Sequence, residues 1–325
     1  MNSTSDTAPF AALQQWKAKG ASLRVGAENI FYIDEGDTAQ PTLVLIHGFP
    51  TSSWDWQPMW GALREQFRVI CLDMLGFGFS DKPNTRTYSI HRQADMVESL
   101  VEHLQLDAFH VLAHDYGDTV AQELLARQNA GQGRGRWLSA CFLNGGLFPE
   151  THRALLTQKL LLSPLGPLLN RLAGKSHFDR SFSKVFGAQT KPTQEQLDEF
   201  WYLINLNGGR HIFHNLMTYI NDRLEHRERW VNALISSPIP LALINGSVDP
   251  VSGAHMVTRY RELGCRLDYL AELESIGHYP QVEDPAAVAQ CYQAFLGTQH
   301  SHHNGQVEDS GATNRRPLQV FKASL

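Results

Sequence analysis

The sequence predicts an α/β fold, in which a mostly parallel, twisted sheet is flanked by helices and carries an inserted helical block. Short apolar runs alternate with helical patterns along most of the chain, which is typical of parallel strands joined by helical crossovers. The interval 148–232 breaks this alternation because it contains helical patterns and no convincing strand. We therefore expect one sheet domain that carries an insertion.

Each element of this fold is predicted from its own stretch of sequence. Apolar runs of strand length predict the strands Ile30–Asp34, Thr42–Ile46, Arg68–Leu72, Phe109–Ala113, Leu138–Asn144, Pro240–Asn245 and Leu267–Leu273. Helical periodicity between these runs predicts helices over Ile90–Leu104, Gly117–Arg127, Gly253–Glu262 and Pro285–Phe295, among others. Strands and helices thus follow one another as a doubly covered sheet requires.

The same pattern divides the chain into segments. Residues 21–147 and 233–297 form the sheet domain, 148–232 a helical cap, 1–20 an N-terminal extension, and 298–325 a polar tail that is predicted to be disordered. Open α/β sheets bind ligands at the carboxyl ends of their strands. We expect the inserted cap to cover that edge as a lid.

Composition excludes several classes of function. The 325 residues include 28 Lys and Arg against 33 Asp and Glu, a net charge of −5, so binding of nucleic acid through a basic face is not expected. The apolar stretch Leu160–Asn170 is too short to cross a bilayer, and the N-terminus shows no signal-peptide pattern. We expect a soluble, cytoplasmic protein of open oligomeric state.

The four cysteines form no CxxC pair, and no metal or cofactor is expected.

The segment FHVLAHDYGDT at 109–119 carries the strongest chemical signal. It predicts a strand, a sharp turn and a helix, in the small-x-nucleophile-x-small pattern of a nucleophile elbow. Ala113 and Gly117 must be small because strand and helix meet closely there. Asp115 lies between them, in a strained conformation that directs its side chain into the pocket. The predicted nucleophile is an aspartate.

An aspartate nucleophile restricts the reaction. Its carboxylate is ionised at neutral pH and can displace an alkoxide or a halide from an sp³ carbon, which leaves an alkyl-enzyme ester. Attack on a carboxylic ester would instead give an anhydride. Esterase or lipase chemistry of the serine type is therefore disfavoured.

Two further residues are predicted to complete a triad. Water must cleave the alkyl-enzyme ester, and His278, which follows the last predicted sheet-domain strand in SIGHYPQVEDP, is placed to act as the general base. Asp249, which follows the preceding strand in LALINGSVDP, would orient that histidine. The chain order of nucleophile, acid and histidine is that of enzymes built on a nucleophile elbow.

Two backbone N–H groups are expected to form an oxyanion hole. The loop HGFP at 47–50 directly follows the strand Thr42–Ile46, and its Phe49 would supply one donor. Tyr116, the residue after the nucleophile, would supply the other. These donors would polarise the ester carbonyl and hold the oxyanion as water attacks.

The motifs resemble those of α/β hydrolases in the epoxide hydrolase and haloalkane dehalogenase group. The resemblance is carried by HGFPTSSWDW, LDMLGFGFSDKP, AHDYGDTVAQELLAR, INGSVDP and GHYPQVEDP. From about Trp16 to Leu296 the sequence is still more similar to the mesoderm-specific transcript family, on HDYGD, NGGLFPETHR and the residues around His278. The resemblance implies the α/β-hydrolase fold with a helical cap and a reaction that needs only water.

The two chemistries of this group differ in how the leaving group is stabilised. Haloalkane dehalogenases hold the halide with a Trp after the nucleophile and often an Asn after the HG pair, and these positions are Tyr116 and Phe49 here. Epoxide hydrolases protonate the epoxide oxygen with two lid tyrosines. The resemblance assigns one of them to Tyr219, in MTYINDR. The other would fall near Asn205, and Tyr202 is the candidate three residues earlier.

Other side chains are candidates for the wall of an apolar substrate pocket. They are His47, Trp54, Trp56, Trp201 and Phe213. Each of the aromatic residues is also compatible with core packing. His114 is interpreted as structural, and Arg223, Arg227 and Arg229 as a solvated helical face.

These patterns together favour one function and leave two alternatives. The favoured function is hydrolysis of a small, largely apolar epoxide through an ester of Asp115. The alternatives are haloalkane dehalogenation and a binding role in which the triad is retained but idle.

Overall fold

A nine-stranded sheet forms the centre of the computed structural model, which describes residues 10–85, 88–151, 174–303 and 319–323. Its strands, β1 to β9, are Ala21–Val25, Glu28–Glu35, Thr42–Ile46, Arg68–Leu72, Ala108–His114, Arg136–Leu143, Leu241–Gly246, Tyr269–Leu273 and Gln319–Ala323. They lie in the order β1-β2-β4-β3-β5-β6-β7-β8-β9. The pairs β1–β2 and β2–β4 are antiparallel and the others parallel. The predicted fold class is confirmed.

Helices cover this sheet. In the described residues the α-helices, α1 to α12, are Ala11–Lys19, Gln57–Arg64, Ile90–His103, Tyr116–Asn129, Lys175–Phe182, Gln194–Asn205, Phe213–Leu216, Tyr219–Glu225, Arg227–Ile235, Ala254–Glu262, Pro280–Glu283 and Pro285–His303. Short 3₁₀ segments lie at Ser53–Trp56, Ser183–Val185 and Leu206–Ile212. The four helices predicted by periodicity correspond to α3, α4, α10 and α12.

The sheet is buried on both faces, as the apolar strand sequences predict. In β3, Val44 and Ile46 join one hydrophobic cluster while Leu43 and Leu45 join the other. Successive side chains of a strand point to opposite faces, and both faces of this strand are apolar. All seven predicted strands are present as β2 to β8. The strand β1 was not predicted because its side chains are exposed or only half-buried, so it lacks an apolar run.

Both ends of the chain show more structure than the sequence predicts. Leu13 and Trp16 of α1 are buried, and the Trp16 ring packs edge-on against Trp54 and Trp60. In the tail, α12 continues to His303 and β9 pairs in parallel with β8. A strand at the edge of a sheet exposes unpaired backbone N–H and C=O groups. Pairing with β9 gives those of β8 hydrogen-bond partners. The polar composition of the tail does not indicate this pairing. Residues 1–9, 304–318, 324 and 325 lie outside the described part of these segments.

Helices α5 to α9 lie in the long connection between β6 and β7. The described part of this connection contains no strand, and residues 152–173, which include the apolar stretch Leu160–Asn170, lie outside it. Helix α9 crosses the predicted boundary at residue 232 and packs against α4 of the sheet domain. Across the described ranges, no helix is both long enough and apolar enough to span a membrane.

Candidate active site

The loop between β5 and α4 has the backbone geometry of a nucleophile elbow. Asp115 has φ 48° and ψ −106°, a region that costs a non-glycine residue about 1–3 kcal/mol. A Cβ at Gly117 would lie 2.5 Å from the carbonyl oxygen of Ile46, so only glycine allows α4 to start this close to β3. The structure places the Asp115 carboxylate at the carboxyl edge of the sheet, between strand and helix.

The three predicted triad residues lie together at this edge. His278 Nδ1 is 2.8 Å from Oδ2 of Asp249, and His278 Nε2 is 3.7 Å from Oδ1 of Asp115. The three residues are only 3–6 % exposed. Asp115 follows β5, Asp249 follows β7 and His278 follows β8, so the carboxyl ends of three parallel strands bring these side chains to the same edge of the sheet.

The charges of the triad determine its protonation. Burial alone would lower the pKa of His278, but Asp249 and Asp115 outweigh burial and hold this pKa well above its ordinary value. Burial alone would raise the pKa of Asp115, and contact with His278 reverses this, so the pKa lies below its ordinary value. Asp115 is therefore an ionised carboxylate at neutral pH. The two carboxylates therefore favour the protonated form of His278.

Asp249 is held by groups that sequence reasoning did not single out. The amide Nδ2 of Asn144 donates to its Oδ2 at 3.0 Å, and the backbone N–H groups of Val251 and Ser252 donate at 2.7 and 3.1 Å. Burial would raise the pKa of Asp249, but the charge and hydrogen bond of His278, together with these bonds to the charged form, hold it below its ordinary value. In the sequence, Asn144 differs from its neighbours as a polar residue at the carboxyl end of an otherwise apolar strand, and this pattern could have indicated a role at the site.

The backbone of the HGFP loop reaches the carboxylate of Asp115. The N–H of Phe49 donates to Oδ2 of Asp115 at 3.0 Å. Tyr116 is the first residue of α4, where a backbone N–H has no partner within its own helix. A carbonyl formed at Asp115 would therefore meet donors from two separate segments.

His47 supports the HGFP loop, whereas the sequence predicts that it lies in the wall of a substrate pocket. It is fully buried, its Nδ1–H donates to the carbonyl oxygen of Gly48 at 2.8 Å, and its Nε2 accepts the N–H of Met74 at 3.0 Å. Both ring nitrogens are therefore engaged with backbone. The sequence could not show which way this ring points, because a ring directed at the pocket and a ring directed at the backbone would both lie beside the HGFP loop.

Tyr279 holds the same loop from the other side. Its hydroxyl donates to the carbonyl oxygen of Phe49 at 2.9 Å. Its ring stacks on Phe186 with centroids 5.1 Å apart. The sequence signal was an aromatic hydroxyl directly after the predicted base, and it was not recognised.

The structure separates the two tyrosines proposed as leaving-group acids. Tyr219 is 2 % exposed, and its ring centroid lies 5.0 Å from that of Tyr116 and 6.3 Å from that of Phe49. Tyr219 therefore lies beside both residues of the predicted oxyanion hole. Tyr202 stacks on Phe10 at 4.9 Å, which directs it toward the N-terminal segment.

Tyr202 and Trp201 line an open cleft of about 440 Å³. Its lining in the described structure is Phe10, Lys175, Asp198, Trp201, Tyr202, Asn205 and Leu206. This set contains no triad or oxyanion residue, so the cleft is separate from the predicted chemistry. Asn205, the position expected for the acid, lies three residues further along the same helix and lines the same cleft.

The remaining predicted pocket residues are divided between core and site. Trp54 is 8 % exposed, packs against Trp16, and donates its indole N–H to Glu199 of α6 at 3.2 Å. Trp56 is fully buried in the same cluster. Phe213 packs on Phe49 with centroids 5.4 Å apart, so it lies at the site.

Of the basic residues predicted to form a solvated face, Arg223 is buried. It is 1 % exposed, and its Nε donates to Oγ1 of Thr119 at 2.8 Å. Arg227 pairs with Glu150 and Arg229 with Glu123. Helical spacing alone cannot tell a buried cation from an exposed one when the helix packs against a second layer.

His114 is structural, in agreement with its interpretation. It is fully buried, and its Nε2–H donates to the carbonyl oxygen of His278 at 2.7 Å. Burial lowers the pKa of His114 to about 3, so the ring is neutral. Within the described ranges, no group of three or more His, Cys, Asp or Glu side chains is arranged to hold a metal.

Most of the chain is similar to proteins of the alpha/beta hydrolase family. Residues 41–285 match the family model described as alpha/beta hydrolase fold. The mesoderm-specific transcript protein of Mus musculus is 45% identical over 296 residues, 88% of each chain. Haloalkane dehalogenase 2 of Mycobacterium bovis is 37% identical over 92 residues, 28% of this chain and 32% of that one.

A solved structure agrees with this family match. The haloalkane dehalogenase DbeA-M1 loop variant from Bradyrhizobium elkanii has a TM-score of 0.74 at 18% identity, and the match covers 88% of this chain and 98% of that chain. At this identity the likeness concerns the fold. The family model and the mouse relative each extend over most of the chain, and the chain therefore belongs to the α/β-hydrolase family, as a homologue of the mesoderm-specific transcript protein.

Proposed function

We propose that this α/β hydrolase opens a small, apolar epoxide through a covalent ester of Asp115. The observation that carries the proposal is the residue at the elbow. A buried carboxylate lies there, with the Phe49 N–H on one oxygen and His278 near the other. A carboxylate attacks carbon without prior deprotonation, and the low pKa of Asp115 keeps it in that form.

The first step would form the ester. An oxygen of Asp115 attacks one carbon of the epoxide ring, and the bond from that carbon to the ring oxygen breaks. The ring oxygen leaves as an alkoxide and takes the phenolic proton of Tyr219, which is left as a phenolate. The position of Tyr219, packed against Tyr116 and Phe49 beside the nucleophile, supports this assignment.

The second step would release the diol. Esterification removes the negative charge of Asp115, so the pKa of His278 falls and its imidazolium releases a proton to solvent. The neutral imidazole then accepts a proton from water, and the proton lost to solvent is taken up again when the ester is cleaved. The hydroxide attacks the ester carbonyl carbon, and the N–H groups of Phe49 and Tyr116 hold the oxyanion. Collapse expels the alkoxide, which takes one proton of the water, and the other proton returns to Tyr219.

The surroundings of the nucleophile favour an apolar substrate and an oxygen leaving group. Phe49 packs against Phe77, Phe213 and Tyr219, which gives this side of the site an aromatic wall. The ring of Tyr116 packs against Phe77 and Tyr219. Neither Phe49 nor Tyr116 offers a side-chain N–H donor, and dehalogenation stays the second candidate.

Replacement of Tyr219 by phenylalanine tests the assigned leaving group. We expect Tyr219→Phe to slow ester formation from an epoxide by about 10²-fold or more, because general-acid catalysis contributes at least this much. The rate is read from the mass of the protein during a single turnover. Tyr260→Phe is the matched control, since the Tyr260 hydroxyl is equally buried but bonds the carbonyl oxygen of Arg266. Equal rates for Tyr219→Phe and wild type would contradict the assignment.

Removal of the Tyr279 hydroxyl tests the oxyanion loop. We expect Tyr279→Phe to slow ester hydrolysis about fivefold, because one hydrogen bond of about 1 kcal/mol that fixes the Phe49 segment is lost while the ring remains. Decay of the ester is followed by mass after a pulse of epoxide. Tyr260→Phe again controls for stability, and a loss of the same size in that variant would show that Tyr279 acts only on folding.

A further inference from the structure

Arg223 is a buried cation beside the site that the mechanism above does not use. It belongs to α8, the helix that begins with Tyr219, and its guanidinium bonds Thr119 on α4, the helix that follows the nucleophile. Burial of a guanidinium is costly unless other groups compensate its charge. The residues that surround Arg223 therefore indicate the role of its positive charge.

Two glycines after β6 make room for this charge and for a carboxylate. A Cβ at Gly146 would collide with the guanidinium of Arg223, and a Cβ at Gly145 would collide with the carboxylate of Asp118. Asp118 is fully buried one turn after Asp115. Each residue of the sequence NGG therefore has a separate role. Asn144 orients Asp249, Gly145 leaves space for Asp118, and Gly146 leaves space for Arg223.

The guanidinium of Arg223 lies against the ring of the proposed acid. Its central carbon is 4.5 Å from the ring centroid of Tyr219, which is a cation–π contact. Such contacts are stronger when they are removed from water. Burial raises the pKa of Tyr219 above its ordinary value, while the charge of Arg223 lowers it and the charge of Asp115 raises it further.

We propose that Arg223 is a positioning residue that holds Tyr219 against the nucleophile and stabilises the negative charge left on its oxygen by proton donation. This inference rests on the proposed function. Before attack, the charge of Asp115 opposes ionisation of the phenol. Ester formation removes that charge and leaves Arg223, so Tyr219 becomes a stronger acid in the step that needs its proton.

The test uses the His278→Gln background, in which an ester would accumulate. Ester formation from methyl oxirane is timed by protein mass in this parent and after addition of Arg223→Lys, Arg223→Gln, Tyr219→Phe or Arg223→Gln with Tyr219→Phe. We expect about a tenfold loss for Arg223→Gln, a smaller loss for Arg223→Lys because the charge remains, and no further loss from Arg223→Gln once Tyr219 is phenylalanine.

A second epoxide distinguishes acid assistance from a general structural effect. Trifluoromethyl oxirane gives a less basic leaving oxygen, so Arg223→Gln should slow its opening less than that of methyl oxirane. Equal losses on both epoxides, or losses that multiply in the double variant, would overturn the inference while the proposed function stands. If the parent forms no ester, the proposed function fails and the inference with it.

A milder variant guards against misfolding of the Arg223 replacements. Thr119→Val removes the hydroxyl that Arg223 Nε bonds and keeps both the charge and the volume. We expect it to lower the rate on methyl oxirane about threefold and to affect trifluoromethyl oxirane less. An unchanged ratio between the two epoxides in this variant would contradict the inference as well.

Discussion

Asp115→Asn is expected to abolish turnover, with a loss of about 10⁴-fold or more, as is found when an enzyme loses its nucleophile. Asparagine has nearly the same shape and tolerates positive φ better than most residues, so the elbow of φ 48° should persist. Its amide is neutral and does not attack the epoxide carbon. The measurement is diol formation under single-turnover conditions, together with the mass of the protein.

A buried carboxylate far from the elbow provides the control. Asp268→Asn weakens an ion pair with Arg266 at the start of β8 and should leave turnover near that of the wild type. If Asp115→Asn keeps a substantial part of the activity while it remains folded, Asp115 is not the nucleophile.

His278→Gln is expected to stop the reaction after ester formation. General-base catalysis contributes about 10²–10⁴-fold, so steady-state turnover should fall by that factor while the first attack is much less affected. Glutamine can still hydrogen-bond Asp249 but cannot take a proton from water. The measurement is the ratio of ester formation to ester decay in one turnover.

The pH dependence of ester decay has a defined sign. In the free enzyme two carboxylates raise the pKa of His278, and esterification removes the charge of one of them. Decay should therefore increase with pH through a pKa lower than that of the free enzyme, because only neutral imidazole accepts a proton. This increase should vanish in His278→Gln and persist in His110→Gln, whose imidazole bonds Ser139 instead. An unchanged increase in His278→Gln would assign the base elsewhere.

The elbow and the strand ends could be predicted from the sequence because their signals are local. Gly117 is small since β3 passes within contact distance, and small residues on both sides of Asp115 after an apolar strand predict a sharp turn into a helix. Asp249 and His278 follow β7 and β8, and parallel neighbouring strands bring their carboxyl ends to the same edge. Local pattern and sheet topology together therefore located the candidate triad.

The direction of individual side chains could not be predicted in the same way. His47, Tyr202 and Arg223 each lie on a segment that was located correctly, but the first engages backbone, the second faces Phe10, and the third is buried. Which face of a helix or loop is covered depends on segments distant in sequence. Tyr202 and the expected position of the second acid, Asn205, both line the cleft that contains no triad residue.

The two ends of the chain show the same limitation. The sequence of α1 has weak amphipathic character, and Trp16 is buried because Trp54 and Trp60 surround it. The strand β9 forms against the edge that β8 leaves open. Neither partner is visible in the local sequence, so composition alone favoured an extension and a disordered tail.

The most direct test of the ester mechanism is the mass of the peptide that contains Asp115 after His278→Gln has been incubated with epoxides and haloalkanes. We expect a gain equal to a whole epoxide molecule, located on Asp115. A gain equal to an alkyl group without its halogen, and none from epoxides, would establish dehalogenation instead. No adduct from either class would contradict the ester mechanism for these substrates and favour a binding role for the chain.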